Sequence, residues 1–184
     1  MNVRIDITNT VIKTDRLILR PWREDDLEDF YEYARVDGVG QFAGWKPHEN
    51  IEESAAILAH FIEGKHIFAI EYQGKAVGSL GIQKYNEETF PRLDALRGRE
   101  IGYVLAKNCW GQGLMTEAVK AVIAHLFDEL KLDFITICHF DYNNRSRRVI
   151  EKCGFTKVGE ESCQTSMGTL EKSFRYILYR DPKA

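Results

Sequence analysis

Residues 100–118 read EIGYVLAKNCWGQGLMTEA and carry the pattern that decides the fold. The first part, residues 100–106, is rich in β-forming residues and predicts a strand. Two glycines, Gly111 and Gly113, follow it. From Met115 to Leu130 apolar residues recur at helical spacing, the strongest helix signal of the chain. The segment therefore predicts a strand, a glycine turn and a helix, in that order.

A turn of this kind can bind an anion. A helix N-terminus exposes unpaired N–H groups and carries a partial positive charge. Gly111 and Gly113 lack a Cβ, which lets their backbone approach a phosphate, and Thr116 adds a hydroxyl in the first turn. By itself a GxG turn is more often an ordinary strand-to-helix connection. The sequence lacks GxxxxGK[ST] and the third glycine of GxGxxG, which argues against a kinase, an ATPase or a dehydrogenase.

Periodicity places further elements on both sides of this segment. Strands are predicted at residues 16–20, 66–72, 76–85, 133–138, 155–158 and 174–179, and helices at 24–34, 51–62 and 145–152. Gly154 is expected at the C-terminal cap of the last helix, and residues 86–98 form an exposed excursion. Strands that first cluster as hairpins and then alternate with helices predict a mixed sheet with helices on both faces, an α/β (α+β) fold.

Composition narrows the class of protein. The 184 residues are 44% hydrophobic and 29% charged, which predicts one globular domain over residues 1–184. No apolar run reaches the ~20 residues of a membrane span and no secretory signal is visible, so a cytoplasmic location without membrane contact is expected. The net charge of −3 argues against nucleic acid as the main partner. The four cysteines and five histidines show no ligand spacing, so no metal is predicted and free thiols are expected.

Three blocks resemble one family. Residues 100–118 are similar to the acetyl-CoA-binding motif of the GNAT superfamily, most of all to its RimJ/RimL-type branch, where a Trp-Gly-x-Gly turn precedes Thr-Glu-Ala. The block Asn143-x-x-Ser146, with Val149, Glu151-Lys152 and Gly154-Phe155, resembles the next motif of that branch. The opening TDRLILRPWREDD, residues 14–26, resembles its first strand and helix. The resemblance covers about residues 14–160.

The resemblance implies a GNAT fold: a mostly antiparallel sheet of about seven strands, splayed between the strands at 100–106 and 133–138. It implies acetyl-CoA as co-substrate, with the pantetheine arm along the splay and the pyrophosphate on the glycine turn. Asn143 would contact the arm. A basic cluster follows it, and its arginines could lie near the 3′-phosphate, with a solvated helix face as the alternative; its members are Arg145, Arg147, Arg148 and Lys152. The implied cofactor residues are Tyr103, Val104, Leu105, Cys109, Trp110, Gly111, Gln112, Gly113, Leu114, Met115, Thr116, Asn143 and Ser146.

Two positions depart from the family pattern and affect the catalytic assignment. Asn108 stands where many members carry Arg or Gln, and Ile150 stands where many carry a tyrosine as general acid. In the Rim-type branch the serine of Asn-x-x-Ser has that role, so Ser146 is the implied acid; its alternative is a plain N-cap of the 147–152 helix. Glu100 is the candidate base, with a solvent-facing or salt-bridged strand carboxylate as the alternative.

The expected reaction is direct attack of an amine on the thioester. A protein N-terminal α-amine is the first candidate acceptor, since its pKa of ~8 requires only a weak base. A small amine such as an aminoglycoside or a polyamine, and a non-catalytic acyl-CoA-binding module, remain alternatives. The loops at residues 38–50 and 86–98 would choose the acceptor, and Trp45 either lines that site or packs in the core. The protein is expected to be a monomer or a homodimer.

Overall fold

A computed structural model describes residues 1–180. Eight strands make up the sheet: β1 (Ile12–Lys13), β2 (Leu17–Pro21), β3 (Ile67–Tyr72), β4 (Lys75–Gln83), β5 (Gly98–Leu105), β6 (Phe134–Phe140), β7 (Thr156–Gln164) and β8 (Leu170–Tyr179). Four α-helices accompany it: α1 (Leu27–Ala34), α2 (Ile51–Gly64), α3 (Leu114–Asp128) and α4 (Asn144–Lys152). Short 3₁₀ turns lie at Glu24–Asp26, Gly40–Ala43, Glu87–Thr89, Pro91–Leu93 and Lys107–Cys109.

The sheet is mixed and mostly antiparallel, with the strand order β1-β2-β3-β4-β5-β6-β8-β7. Its parallel pair is β5 with β6, and their pairing runs only from Gly98 opposite Phe134 to Glu100 opposite Thr136. Past Glu100 the two strands separate. The predicted mixed sheet and its splay between these strands are confirmed.

The sheet has one strand more than the seven predicted. The additional β1 is two residues long and pairs with β2, too short for any periodicity to reveal it. Strand β7 also runs on to Gln164, beyond the predicted 155–158. Among the strands of residues 1–180 it pairs with β8 alone, and from Gly159 onward its residues alternate between half-buried and exposed. An edge strand needs few apolar residues, so the hydrophobic pattern ends before the strand does.

Helix α3 fixes the position of the glycine turn. Its apolar stripe includes Ala118, Val119, Val122 and Leu126, all fully buried in the main core. The helix packs against β1, β2 and α4, while α1 and α2 pack on each other and on β4 and β3. This buried stripe packs α3 against the core and so places its first turn at the splay. In the part of the chain that the structure describes, no helix is both long and apolar enough to cross a membrane.

Candidate active site

The splay opens a cavity of about 800 Å³ between β5, β6, the start of α3 and the start of α4. Beyond Glu100, β5 pairs with β4 along one edge, and no other described strand pairs with its second edge. A strand edge without a partner offers backbone N–H and C=O groups to an extended ligand. The cavity therefore combines apolar lining residues with the unpaired backbone edge of β5.

At one end of the cavity the backbone amides lack protein partners. Within residues 1–180, no acceptor pairs with the N–H groups from Gly111 to Thr116, and the first helical bond is from Glu117 N to Gly113 O at 3.1 Å. The N-cap residue, Gly113, has no side chain that could cap the helix. Consecutive free amides at the start of a 15-residue helix form a site for an anion.

The glycines of the turn are required by backbone conformation. Gly111 has φ 77° and Gly113 has φ 78°, in the left-handed region that favours glycine. A Cβ added to Gly111 would meet no protein atom within 4 Å, and one on Gly113 would lie 3.7 Å from Arg16 Nη2. The protein leaves the space beside the turn open, which is what close approach of a phosphate requires.

A network for which the sequence contains no local signal holds the turn in place. Arg16 Nη1 donates to Gln112 O at 3.0 Å, and Arg16 pairs with Glu117 at 2.7 Å. Glu117 also accepts from Thr14 Oγ1 at 2.6 Å. These residues connect the start of β2 to the first turn of α3. Because the partners are about a hundred residues apart, no periodicity or motif could reveal these contacts.

Aromatic side chains lie beside the glycine turn at the mouth of the cavity. Trp110 Nε1 donates to Leu105 O at 2.7 Å, which orients the indole. The guanidinium of Arg145 lies 4.0 Å from the ring centroid of Trp110 and 4.5 Å from that of Phe42. Phe42 comes from the Gly40–Ala43 turn, so cation–π contacts join three separate segments at the mouth of the cavity.

Asn143 caps α4. Its Oδ1 accepts from Ser146 N at 3.1 Å, and its Nδ2 donates to Phe42 O at 3.2 Å. The alternative that Ser146 is the N-cap is therefore wrong: Ser146 lies inside the first turn. The helix starts at Asn144, earlier than predicted, because the Asn143 amide satisfies the amide of Ser146.

Replacing Asn143 with alanine is expected to lower the free energy of unfolding by about 1–2 kcal/mol, because the cap and the bond to Phe42 O are both lost. Chemical denaturation measures this directly. Asn144→Ala is the matched control, since Asn144 is an exposed neighbour within the helix. An Asn143→Ala variant as stable as the wild type would show that the cap contributes nothing.

The Ser146 hydroxyl faces β5. It lies 2.9 Å from the hydroxyl of Tyr103, which also lies 3.3 Å from Ser146 O. Ser146 is buried and lines the cavity together with Tyr103. Burial raises the pKa of Tyr103 well above its usual value, so the phenol stays protonated. The position where many family members carry a tyrosine, Ile150, is buried in the main core.

Glu100 is half-buried at the point where β5 and β6 separate. Its Oε2 accepts from Thr136 Oγ1 at 3.2 Å. Burial raises the pKa of Glu100, and the hydrogen bond from Thr136 and the charge of Arg175 offset part of that rise. Arg175 itself is paired with Glu161. Glu100 has no direct salt bridge among the described residues, so the salt-bridged alternative does not hold.

The basic cluster divides into two groups. Arg145, Arg148 and Lys152 line the cavity, whereas Arg147 points elsewhere and lies 3.8 Å from Glu151. On a helix, residues 145, 148 and 152 follow the i, i+3, i+7 spacing of one face. Three positive charges at the mouth suit a ligand with several phosphates.

The structure brings the predicted site residues together with few exceptions. All of them line the cavity except Gln112, whose Nε2 donates to Asn108 O at 3.0 Å. Trp45 packs against His48, with ring centroids 5.1 Å apart, and does not line the cavity. From the same loop, Val39, Phe42 and Ala43 do line it. Cys109 is buried, and burial raises the pKa of its thiol.

A long cavity with a free strand edge, a run of free amides and a basic mouth fits an extended ligand that ends in phosphates. These are the features that a CoA-dependent transferase needs. The model of the GNAT acetyltransferase domain family matches residues 16–156. The chain belongs to this family, so it is an acetyl-CoA-dependent N-acetyltransferase, and the family predicted from the three sequence blocks is confirmed.

One relative and three solved structures document the similarity. The uncharacterized N-acetyltransferase YoaA of Bacillus subtilis is 30% identical over 156 residues, 81% of this chain and 84% of that protein. A GNAT-family acetyltransferase from Bacillus anthracis superposes with a TM-score of 0.80 at 24% identity, covering 92% of this chain and 98% of that chain.

The other two structures have named functions. The ribosomal-protein-S5-alanine acetyltransferase from Vibrio fischeri gives a TM-score of 0.73 at 20% identity, covering 95% of this chain and 98% of that chain. The microcin C7 self-immunity acetyltransferase MccE, solved with acetyl-CoA and AMP, gives 0.76 at 21% identity, with the same two coverages. At these identities the structural likeness shows the fold.

Proposed function

We propose that the protein transfers the acetyl group of acetyl-CoA to the α-amine of a peptide or protein N-terminus. The observation that carries the proposal is that a half-buried carboxylate, Glu100, and a buried hydroxyl, Ser146, line the same cavity as the free amides of the glycine turn. A base, an acid and an anion site around one cavity are what direct acyl transfer to an amine requires.

The geometry supports the following binding roles. The free amides from Gly111 to Thr116 hold the pyrophosphate, with Arg145, Arg148 and Lys152 as countercharges. The free edge of β5 near Tyr103, Val104 and Leu105 would pair with the amides of the pantetheine arm, apart from Leu105 O, which already accepts from Trp110 Nε1. Asn143 already uses one N–H and one lone pair of its oxygen, which leaves its second N–H and its second lone pair available to the arm.

The catalytic roles divide between two side chains. When bound, acetyl-CoA supplies a thioester whose carbonyl carbon bonds to the amine while the carbon–sulfur electron pair goes to sulfur. Glu100 takes the proton that the amine nitrogen loses. Ser146 donates its hydroxyl proton toward the leaving sulfur, and solvent returns a proton from Glu100 to Ser146. Backbone N–H groups of the splayed strand stabilise the developing oxyanion.

An α-amine suits this site because its demand for a base is small. Its pKa of ~8 leaves part of it neutral at pH 7 and ready to attack. A lysine amine with a pKa of ~10.4 is almost entirely protonated at that pH, so it must first lose a proton. Glu100 is a carboxylate whose pKa is raised by burial and only partly lowered again by Thr136 and Arg175, and a carboxylate is sufficient as the base for an amine that is already partly neutral. The ribosomal-protein-S5-alanine acetyltransferase, whose fold this chain shares, is consistent with the same acceptor class.

A small-molecule amine is the second candidate acceptor, because the chain also shares its fold with the microcin C7 self-immunity acetyltransferase. A panel of N-terminal peptides, spermidine and aminoglycosides, scored by acetyl transfer, separates the two. Peptide turnover exceeding that of every small amine is expected. Acetylation of an aminoglycoside or spermidine without detectable transfer to peptides would overturn the peptide assignment and leave the family unaffected.

Replacing Glu100 with glutamine is expected to lower the rate with a peptide by about tenfold. This is less than the ~100-fold typical of general base catalysis, because the amine is already partly neutral. Glu100 accepts a proton only when ionised, so the wild-type rate falls as the pH drops through its pKa. Since burial raises that pKa, the acidic limb lies at higher pH than for an ordinary glutamate.

The pH dependence of kcat/KM tests whether the acidic limb lies at higher pH than an ordinary glutamate would give. In Glu100→Gln the limb that belongs to Glu100 disappears and only the titration of the amine remains. Thr136→Val is the matched control: it removes one hydrogen bond to Glu100 and keeps the carboxylate. Because that bond lowers the pKa of Glu100, its loss moves the limb to higher pH. A Glu100→Gln variant with the wild-type rate and profile would exclude Glu100 as the base.

A further inference from the structure

Tyr103 and Ser146 approach each other across the splay, one from β5 and the other from α4. Their hydroxyl oxygens are 2.9 Å apart, and either can be the donor. The Tyr103 hydroxyl can also donate to the backbone oxygen of Ser146, but at 3.3 Å that bond is longer than normal, so the phenol proton favours the nearer Ser146 Oγ. Both side chains line the cavity. The phenol therefore meets the serine hydroxyl inside the site itself.

The direction of this hydrogen bond decides where the serine proton points. A serine within a helix tends to turn its O–H toward the carbonyl three or four residues earlier. If Tyr103 donates to Ser146 Oγ, one oxygen lone pair is occupied and the serine O–H is free to face the cavity. If Ser146 donates to Tyr103 instead, its proton is unavailable to a ligand.

We propose that Tyr103 is a positioning residue for Ser146: its phenol donates to Ser146 Oγ and thereby directs the serine proton toward the sulfur of the leaving CoA. The proposal rests on the function proposed above. Tyr103 keeps its own proton throughout, so the serine proton is the one that moves to sulfur. Burial, which raises the pKa of Tyr103, keeps the phenol a permanent donor.

Tyr103 also supplies a phenol to the site although position 150 is an isoleucine. Ile150 is buried in the main core and has no polar atom to offer the site. A phenol reaches the start of α4 nevertheless, from the opposite wall of the cavity and through Ser146. The two hydroxyls thus lie between the unpaired edge of β5 and the start of α4.

The test is a double-mutant cycle of Tyr103→Phe and Ser146→Ala, with kcat and KM measured by thiol release. Tyr103→Phe is expected to lower kcat by about tenfold, equivalent to about 1.4 kcal/mol, with KM for acetyl-CoA unchanged. In the Ser146→Ala background the same change is expected to have no further effect, because Tyr103 acts only through the serine.

Tyr142→Phe is the matched control, since the Tyr142 hydroxyl contacts Gln41 O and Tyr142 does not line the cavity. A Tyr103→Phe variant with wild-type kcat, or one that loses the same factor with and without Ser146, would overturn the proposal. If Tyr103→Phe does not fold, 3-fluorotyrosine at position 103 keeps the shape and changes only the acidity of the phenol. Its effect on kcat is expected with Ser146 present and is expected to vanish in the Ser146→Ala background.

The proposed function and this inference fail differently. Absence of transfer to peptides by the wild type would count against the proposed acceptor, and the cycle is then run with the small amine that the wild type does acetylate. No transfer to any amine would overturn both. A working wild type with an additive cycle would overturn only the role of Tyr103.

Discussion

Replacing Ser146 with alanine is expected to lower kcat by about 100-fold or more, the usual size of an acid-catalysis effect, while acetyl-CoA affinity changes little. The hydroxyl contacts Tyr103 and lines the cavity, and it does not cap α4, which Asn143 does. The substitution therefore removes a proton donor without removing the cap. Steady-state kinetics with a peptide, together with calorimetry for acetyl-CoA, separate the two quantities.

The stability of the Ser146→Ala variant is part of the same test. Because the cap remains, the melting temperature is expected to stay close to that of the wild type. Ser173→Ala is a matched control: Ser173 is fully buried in β8, and its hydroxyl has no hydrogen-bond partner in residues 1–180. A Ser146→Ala variant with wild-type kcat would show that the serine is structural, whatever its effect on melting.

Valine at Gly111 or at Gly113 is expected to weaken acetyl-CoA binding by at least about tenfold, or about 1.4 kcal/mol. Two causes act together. A β-branched residue at a φ near +77° strains the turn, and the new side chain fills space that the protein leaves open beside the free amides. Isothermal calorimetry on folded protein measures the loss.

Strain alone is separated from loss of the anion site by Gly74→Val. Gly74 has φ 80° in the β3–β4 turn, a Cβ there would meet no atom within 4 Å, and it does not line the cavity. This variant carries the same backbone penalty and is expected to bind acetyl-CoA as the wild type does. Unchanged affinity in folded Gly111→Val and Gly113→Val would show that the run of free amides does not hold the cofactor.

The sequence was sufficient to predict elements that depend on local pattern. The stripe of α3 and the alternation of the hairpin strands reflect which face is buried, so their order and the mixed sheet follow from periodicity. The resemblance of residues 100–118 to a known motif then placed the cofactor turn. Strand β1 and the end of β7 were not predicted, because an edge strand exposed to solvent shows no hydrophobic periodicity.

Contacts between segments that are distant in the sequence could not be predicted, for a different reason. That Arg16 reaches Gln112, or that Phe42 and Arg145 meet at Trp110, is decided by how the sheet brings those segments together.

The loop around Trp45 and the start of α4 also differ from what the sequence predicted, for two different reasons. Of the two alternatives for Trp45, packing is the one that holds: aromatic character marked the loop, but Phe42 is its aromatic member that faces the cavity. The role of Ser146 likewise depended on where α4 begins, which the Asn143 cap sets one residue earlier than periodicity suggested. The packing of Trp45 depends on tertiary contacts, which a local pattern does not encode, whereas the Asn143 cap is a local contact that hydrophobic periodicity does not register because it involves polar groups.

Acetyl transfer itself is tested most directly by mass spectrometry of a peptide with a free α-amine after incubation with acetyl-CoA and the wild-type protein, with released CoA thiol measured in parallel. We expect the gain of one acetyl group on the α-amine, matched one to one by free thiol and strongly reduced in Ser146→Ala. Acetyl-CoA binding by calorimetry with no acetyl gained by the peptide or by any amine of the panel would contradict this, and would identify the chain as a module that binds acetyl-CoA without turnover.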